Sequence, residues 1–101
     1  MRFTVVVLPS AQRDLLRLTS FLAEAAPSAV ERMRAVVKEA LRSLSDMPNR
    51  GQQIDEYDRR LKAPFGEGAY VIIYRVEQRR VVVSHDIHSR EDWHSRDDWP
   101  A

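Results

Sequence analysis

Apolar residues recur at two different periods along this chain, and the switches between them mark its elements. Phe3 to Leu8 is a β-branched run that predicts a strand, closed by Pro9, which cannot donate to a sheet ladder but suits a helix start. From Ser10, an expected N-cap, Ala11, Leu15, Leu18 and Leu22 recur at helical spacing, while Arg13, Arg17 and Glu24 stand off that stripe. Ala25, Ala26 and Pro27 interrupt the pattern, and Ser28 with Glu31 predicts a capping box for a second helix. Its stripe is Ala29, Met33, Val36, Ala40, Leu44 and Met47, supported by Val37 and Leu41 and ended by Pro48 and Gly51. A polar linker, Asn49 to Asp58, leads to three strand-like segments: a short one around Arg59 to Ala63, then Tyr70 to Val76 and Arg80 to Ile87. Pro64 to Gly68 and Glu77 to Arg79 are the expected turns.

That order, β-α-α-β-β-β, predicts an α+β fold in which a helical hairpin covers one face of a mainly antiparallel sheet and leaves the other face for function. With 101 residues the chain supports one hydrophobic core, so residues 1–101 are expected to form a single domain, with Ser89 to Ala101 as a tail. Apolar residues make up 44% and charged residues 31%, which excludes a disordered composition. No apolar run approaches the roughly 20 residues that span a bilayer, so a cytoplasmic protein without membrane partners is expected. There is no cysteine, which excludes disulfides and thiolate metal sites.

Charge changes the picture. Met1 to Asp58 balances eight basic against eight acidic residues, but Arg59 to Arg90 holds seven basic against three acidic. Such a block predicts a surface that meets a phosphate-bearing or acidic partner, the alternative being a solvated sheet face. Within it, Arg75 shares a strand face with Val71 and Ile73, so it requires open solvent or a carboxylate such as Glu77 or one from the linker. Arg60 is expected in the exposed patch. Strict alternation turns Val81, Val83, His85 and Ile87 toward the helices and Val82, Ser84, Asp86 and His88 outward. It also separates His85 from His88, and with no further ligands evident neither a metal nor another cofactor is expected. Trp93 and Trp99 sit in a polar tail, where a large aromatic has reason to dock on the sheet or on a partner.

Several of these features coincide in one family. Pro9 to Leu18 with its Asp-Leu pair, Leu44 to Gly51, the strand YVIIYRV (Tyr70 to Val76) and HSREDW (His88 to Trp93) together resemble the ParE/RelE toxin superfamily of type II toxin–antitoxin systems, closer to the ParE branch. The resemblance implies a RelE/ParE-like fold and a cognate, ParD-like antitoxin that wraps the toxin in a hetero-oligomer. ParE-type members inhibit DNA gyrase, whereas RelE-type members are endoribonucleases that cleave messenger RNA on the ribosome. Cleavage requires cations for the phosphate and a group that moves the 2′-hydroxyl proton. Arg60, Arg75 and Arg90 supply the first, and His88 or His85 the second. RelE-type enzymes commonly carry a tyrosine or histidine near the C-terminus, and here no tyrosine follows Tyr74. That departure favours a non-enzymatic, gyrase-docking toxin whose target-facing residues are Arg60, Arg75, His88 and Arg90 and whose partner-binding residues are Trp93 and Trp99. A ribosome-dependent nuclease is the alternative, and a non-toxic binding module, with Asp97 and Asp98 shielding the basic face, is a third reading.

Overall fold

Eight elements follow one another in the computed structural model, which describes residues 2–66 and 68–88. They are β1 (Thr4–Val7), α1 (Pro9–Ala25), a single 3-10 turn (Pro27–Ala29), α2 (Val30–Asp46), β2 (Gln52–Gln53), β3 (Asp58–Phe65), β4 (Gly68–Glu77) and β5 (Arg80–His88). The five strands form one sheet in the order β1-β5-β4-β3-β2, with β1 parallel to β5 and every other pair antiparallel. The helix-bearing side follows from the stripes read in the sequence: Ala11 and Leu44 pack with Leu61, Ile72, Tyr74, Val81 and Val83. Leu18, Met33 and Val37 pack with Ala63 and Tyr70. These are the α+β layers the pattern predicts, and the helix stripes, not helix propensity, hold them against the sheet.

Three local expectations are corrected. Ser10 does not cap α1, which begins at Pro9; its hydroxyl instead donates to the Ser84 carbonyl at 2.6 Å. Ser28 and Glu31 form no capping box, because Ser28 lies in the 3-10 turn and α2 starts at Val30 with no side-chain cap. The polar linker contains a strand: Gln52 and Gln53 pair with Arg60 and Arg59. The strand that follows is also longer than expected, running through Pro64 to Phe65 and turning at Gly66, whose φ of +62° suits glycine.

One irregularity decides which side chains share a face. Between Ile73 and Tyr74 the β4–β5 register shifts, so that Tyr74 pairs with Val83 but Ile73 with His85, and Ser84 is the extra residue of a β-bulge. Beyond it the alternation is inverted. Ile87 pairs with Val71 and buries with it and Ile73, with Ile54 packed alongside, on the face opposite the helices. Asp86 and His88 pair with Ile72 and Tyr70 and so lie on the helix-bearing side, which reverses the orientation expected for all three.

The bulge begins where β1 ends. Past Val83, β5 has no strand on its outer side among the described residues, and the segment from Leu8 into α1 takes over that role. The Leu8 amide donates to the Val83 carbonyl at 3.0 Å, and the Asp86 amide donates to Asp14 Oδ2 at 3.1 Å. Every sheet edge must satisfy its backbone groups, and here the Leu8 amide and the Ser10 and Asp14 side chains of α1 do so.

Candidate functional site: a paired-arginine sheet face

Two arginines on the face away from the helices are each held by a neighbouring strand. Arg60 stands opposite Ile73, and Asp58 opposite Arg75, so Asp58, Arg60, Lys62 and Arg75 share the face of Val71 and Ile73. Nε and Nη2 of Arg75 both approach Asp58 Oδ1 at 3.2 Å. The same guanidinium lies 5.1 Å from the centroid of the Tyr57 ring, within cation–π range. The carboxylate that the sequence required for Arg75 therefore comes from the linker. Arg60 uses the same edge on a neutral partner: its Nε and Nη2 donate to Gln52 Oε1 at 3.2 and 3.0 Å.

The neighbouring Arg59 has a different task. Alternation turns it to the other face, where Nη1 donates to the carbonyls of Asn49 at 3.1 Å and Gly51 at 2.8 Å. Gly51 is fixed from a second direction, its amide donating at 2.9 Å to the hydroxyl of the fully buried Tyr74. Burial pushes the Tyr74 phenol above its usual value of 10.0, the Gly51 amide and the Arg59 and Arg50 charges opposing. The anchored loop delivers Gln52 to Arg60. On the other side, Asp55 shapes the β2–β3 turn by accepting the Asp58 amide at 2.7 Å and the Tyr57 amide at 2.8 Å. Those two bonds, Asp58 first, hold the Asp55 carboxyl below its usual 3.8.

Neither histidine of β5 turns its described contacts toward these cations. His85 Nδ1 lies 3.0 Å from Asp14 Oδ2 on α1, and the two side chains are about four-fifths buried, with 20% and 19% exposed. The His88 ring meets Tyr70 edge-on, centroids 5.4 Å apart, and Tyr70 in turn packs on Phe65 at 5.6 Å. Arg32 of α2 stacks over that Phe65 ring at 5.1 Å. Burial, then the Asp86 carboxylate, raises the Tyr70 phenol above 10.0.

Of the residues singled out from the sequence, Arg60 and Arg75 thus share a face and His88 is separated from them by the sheet. Arg90, Trp93 and Trp99 lie outside the described residues. Sequence reasoning missed Gln52, Tyr57 and Asp14 as partners; a glutamine in a polar linker carries no local signal of the arginine it will meet. Among the described residues no group of three His, Cys, Asp or Glu side chains is placed to hold a metal, and no helix is long and apolar enough to cross a membrane.

The helix side offers a second surface. A groove of about 500 Å³ runs between α1 and α2, with Leu15, Leu16, Val37 and Leu41 as its apolar lining and Arg34 and Lys38 as cations. Leu16 and Phe21 on α1 are 65% and 71% exposed, large for apolar residues with no service to the core.

A helical pair on a five-stranded sheet, with an apolar groove on one side and arginines on the other, is the architecture of the toxin half of a toxin–antitoxin pair. Among solved structures, the chain is similar to the RelBE2 toxin–antitoxin complex from Mycobacterium tuberculosis, 27% identical with a TM-score of 0.58, matching 87% of this chain and 99% of that one. Residues 5–93 match the family described as the ParE toxin of type II toxin–antitoxin system, parDE, and the chain belongs to that family. Curated relatives from Caulobacter vibrioides include toxin RelE1, 40% identical over 91 residues (90% of this chain, 98% of the relative). Toxin RelE3 is 34% identical over 83 residues, covering 82% and 90%.

Proposed function

We infer that this toxin stops growth by docking its arginine-bearing sheet face on DNA gyrase in the cytoplasm, without cleaving a substrate, and that a cognate antitoxin neutralises it. The observation that carries the reading is that the described contacts of both histidines are made with groups other than these cations, His88 with Tyr70 and His85 with Asp14. A ribonuclease needs an acid–base group within hydrogen-bond reach of the same phosphate that its arginines clamp. His88 lies across the sheet from Arg60 and Arg75, and His85, although paired with Ile73 in the same row as Arg60, has its Nδ1 3.0 Å from Asp14 Oδ2 on α1. The face carries two oriented guanidinium groups, Lys62 and the exposed Tyr57, with Asp58 as the carboxylate paired to Arg75, an arrangement that suits recognition of an acidic protein surface. In this reading Arg90 is also target-facing and Trp93 and Trp99 bind a partner, as the sequence suggested, all three being outside the described residues. Titrating purified toxin into a gyrase supercoiling reaction should abolish supercoiling, and added antitoxin should restore it. Supercoiling that continues at high toxin excess sinks the reading.

The groove between α1 and α2 accommodates the antitoxin. An amphipathic helix would bury its apolar anchors on Leu15, Leu16, Val37 and Leu41 and set carboxylates against Arg34 and Lys38.

Messenger RNA cleavage on the ribosome is the second reading, favoured by the RelE names of both relatives. In it Arg60, Arg75 and Arg90 clamp phosphate and His88 moves the proton. Translation-dependent cleavage that disappears in His88→Ala would establish it.

A further inference from the structure

Arg60 and Arg75 are held alike but are not electrostatically alike, and that difference assigns their roles. In each, one side-chain oxygen from a neighbouring element takes the Nε and Nη2 edge, leaving Nη1 without a hydrogen bond among the described residues. The oxygen at Arg75 belongs to the carboxylate of Asp58, an ion pair at 3.2 Å that offsets its charge, and the Tyr57 ring centroid lies 5.1 Å from the cation. The oxygen at Arg60 belongs to the neutral amide of Gln52. Arg60 is therefore fixed in direction by a partner that carries no charge to offset its own.

We propose that Gln52 is the positioning residue of the docking face: it aims the uncancelled guanidinium of Arg60 at a carboxylate on the toxin's protein target, while Arg75 serves as the neutralised, Tyr57-stacked flank. This rests on the sheet face being the target-facing surface. The local construction agrees with it. The two-residue strand β2 pairs Gln52 directly with Arg60, and the segment before it is anchored by the Gly51 amide on Tyr74 and by Arg59 on the Asn49 and Gly51 carbonyls. Two exposed glutamines gain nothing from burial by forming a strand, yet their backbone is fastened at a buried glycine immediately before them. An arginine free to rotate would lose side-chain entropy on meeting its target, and orientation in advance removes that cost. A neutral holder does so without competing for the anion.

The substitution that separates this from a merely structural role is Gln52→Glu. It keeps an oxygen acceptor for Nε and Nη2, so a structural role predicts unchanged or slightly raised stability and undiminished toxicity. The proposal predicts undiminished stability with lost toxicity, because Arg60 becomes a second neutralised pair. The readout is growth arrest in cells expressing the toxin without antitoxin, at protein levels matched by immunoblot, together with the thermal midpoint of each purified variant. Gln52→Glu should need at least tenfold more toxin for half-maximal arrest with its midpoint preserved, and Gln52→Ala, which frees Arg60 without cancelling it, should fall between. Full toxicity in Gln52→Glu, or equal losses in the two variants, overturns the proposal, as does a wild-type toxin that arrests nothing. Growth arrest reads target engagement whatever the target, whereas the supercoiling assay reads gyrase alone. Arrest by wild type with supercoiling intact would fail the gyrase reading and leave the Gln52 test decisive.

Discussion

Replacing Gly51 by alanine tests the anchor on which the arginine face depends. A Cβ at this position would lie 2.5 Å from the Tyr74 hydroxyl, 2.8 Å from Tyr74 Cε1 and 2.8 Å from the Arg60 carbonyl oxygen. Real Cβ atoms do not tolerate such distances, and neither neighbour is free to retreat: Tyr74 is fully buried and the Arg60 carbonyl belongs to β3. Overpacking of this kind costs about 1–3 kcal/mol. If the loop swings out instead, the Gly51 amide and the Tyr74 hydroxyl lose each other, at about 1 kcal/mol or somewhat more because the phenol oxygen stays buried. The chain takes the cheaper of the two routes, a loss of about 1–3 kcal/mol, which lowers the melting temperature of a domain this size by about 4–24 °C. Circular dichroism melts of wild type, Gly51→Ala, Tyr74→Phe and the double variant would measure it. Because Tyr74→Phe removes the atom of the closest clash, the double variant should be less destabilised than the sum of the singles. A melting temperature within about 3 °C of wild type for Gly51→Ala would refute the reasoning, since a loop that loose cannot orient Gln52.

The remaining expectations concern the core, the helix-to-strand pin and the titratable groups. Leu44→Ala, at a fully buried position, should cost about 2–5 kcal/mol in urea unfolding, whereas Leu16→Ala should change stability by no more than about 0.5 kcal/mol yet weaken antitoxin binding in calorimetry. Asp14→Ala removes the acceptor of both the Asp86 amide and His85, and should cost about 1–3 kcal/mol by the same unfolding assay. The Asp55 carboxyl is lower in the folded than in the unfolded chain, so its stabilisation of the β2–β3 turn is present above 3.8 and fades as pH falls through the lower folded value; exchange of the Asp58 amide against pH reads this directly. Tyr74 is raised in the folded chain, so its contribution is complete below 10.0 and is lost as pH climbs through the higher folded value, which tyrosinate absorbance compared with Tyr74→Phe should show.

The parts of the fold legible in the sequence were those specified by periodicity. The helix stripes around Leu18 and Leu44 and the apolar strand Tyr70 to Val76 bury the faces their spacing displays, except that Met47, read as the end of the second stripe, caps α2 and is 55% exposed. What escaped was specified from a distance. The Ser10 hydroxyl found a carbonyl 74 residues away in preference to capping its own helix, and β2 exists only through its pairing with β3. The bulge at Ser84 has no glycine or proline to announce it, yet it moves Ile87 and His88 to opposite faces from those that alternation gives. The need of Arg75 for a carboxylate was legible because a cation among apolar strand residues demands one; the identity of Gln52 as the partner of Arg60 was not, because a neutral amide demands nothing.

Docking by the arginine face, the center of this account, is most directly tested by the affinity of folded toxin for purified gyrase, measured for wild type beside the Arg60→Gln/Arg75→Gln double variant. The account predicts at least about a hundredfold weaker binding for the double variant, on the order of 2.7 kcal/mol, with its circular dichroism unchanged. Equal affinities, or a wild type that does not bind gyrase, would contradict it.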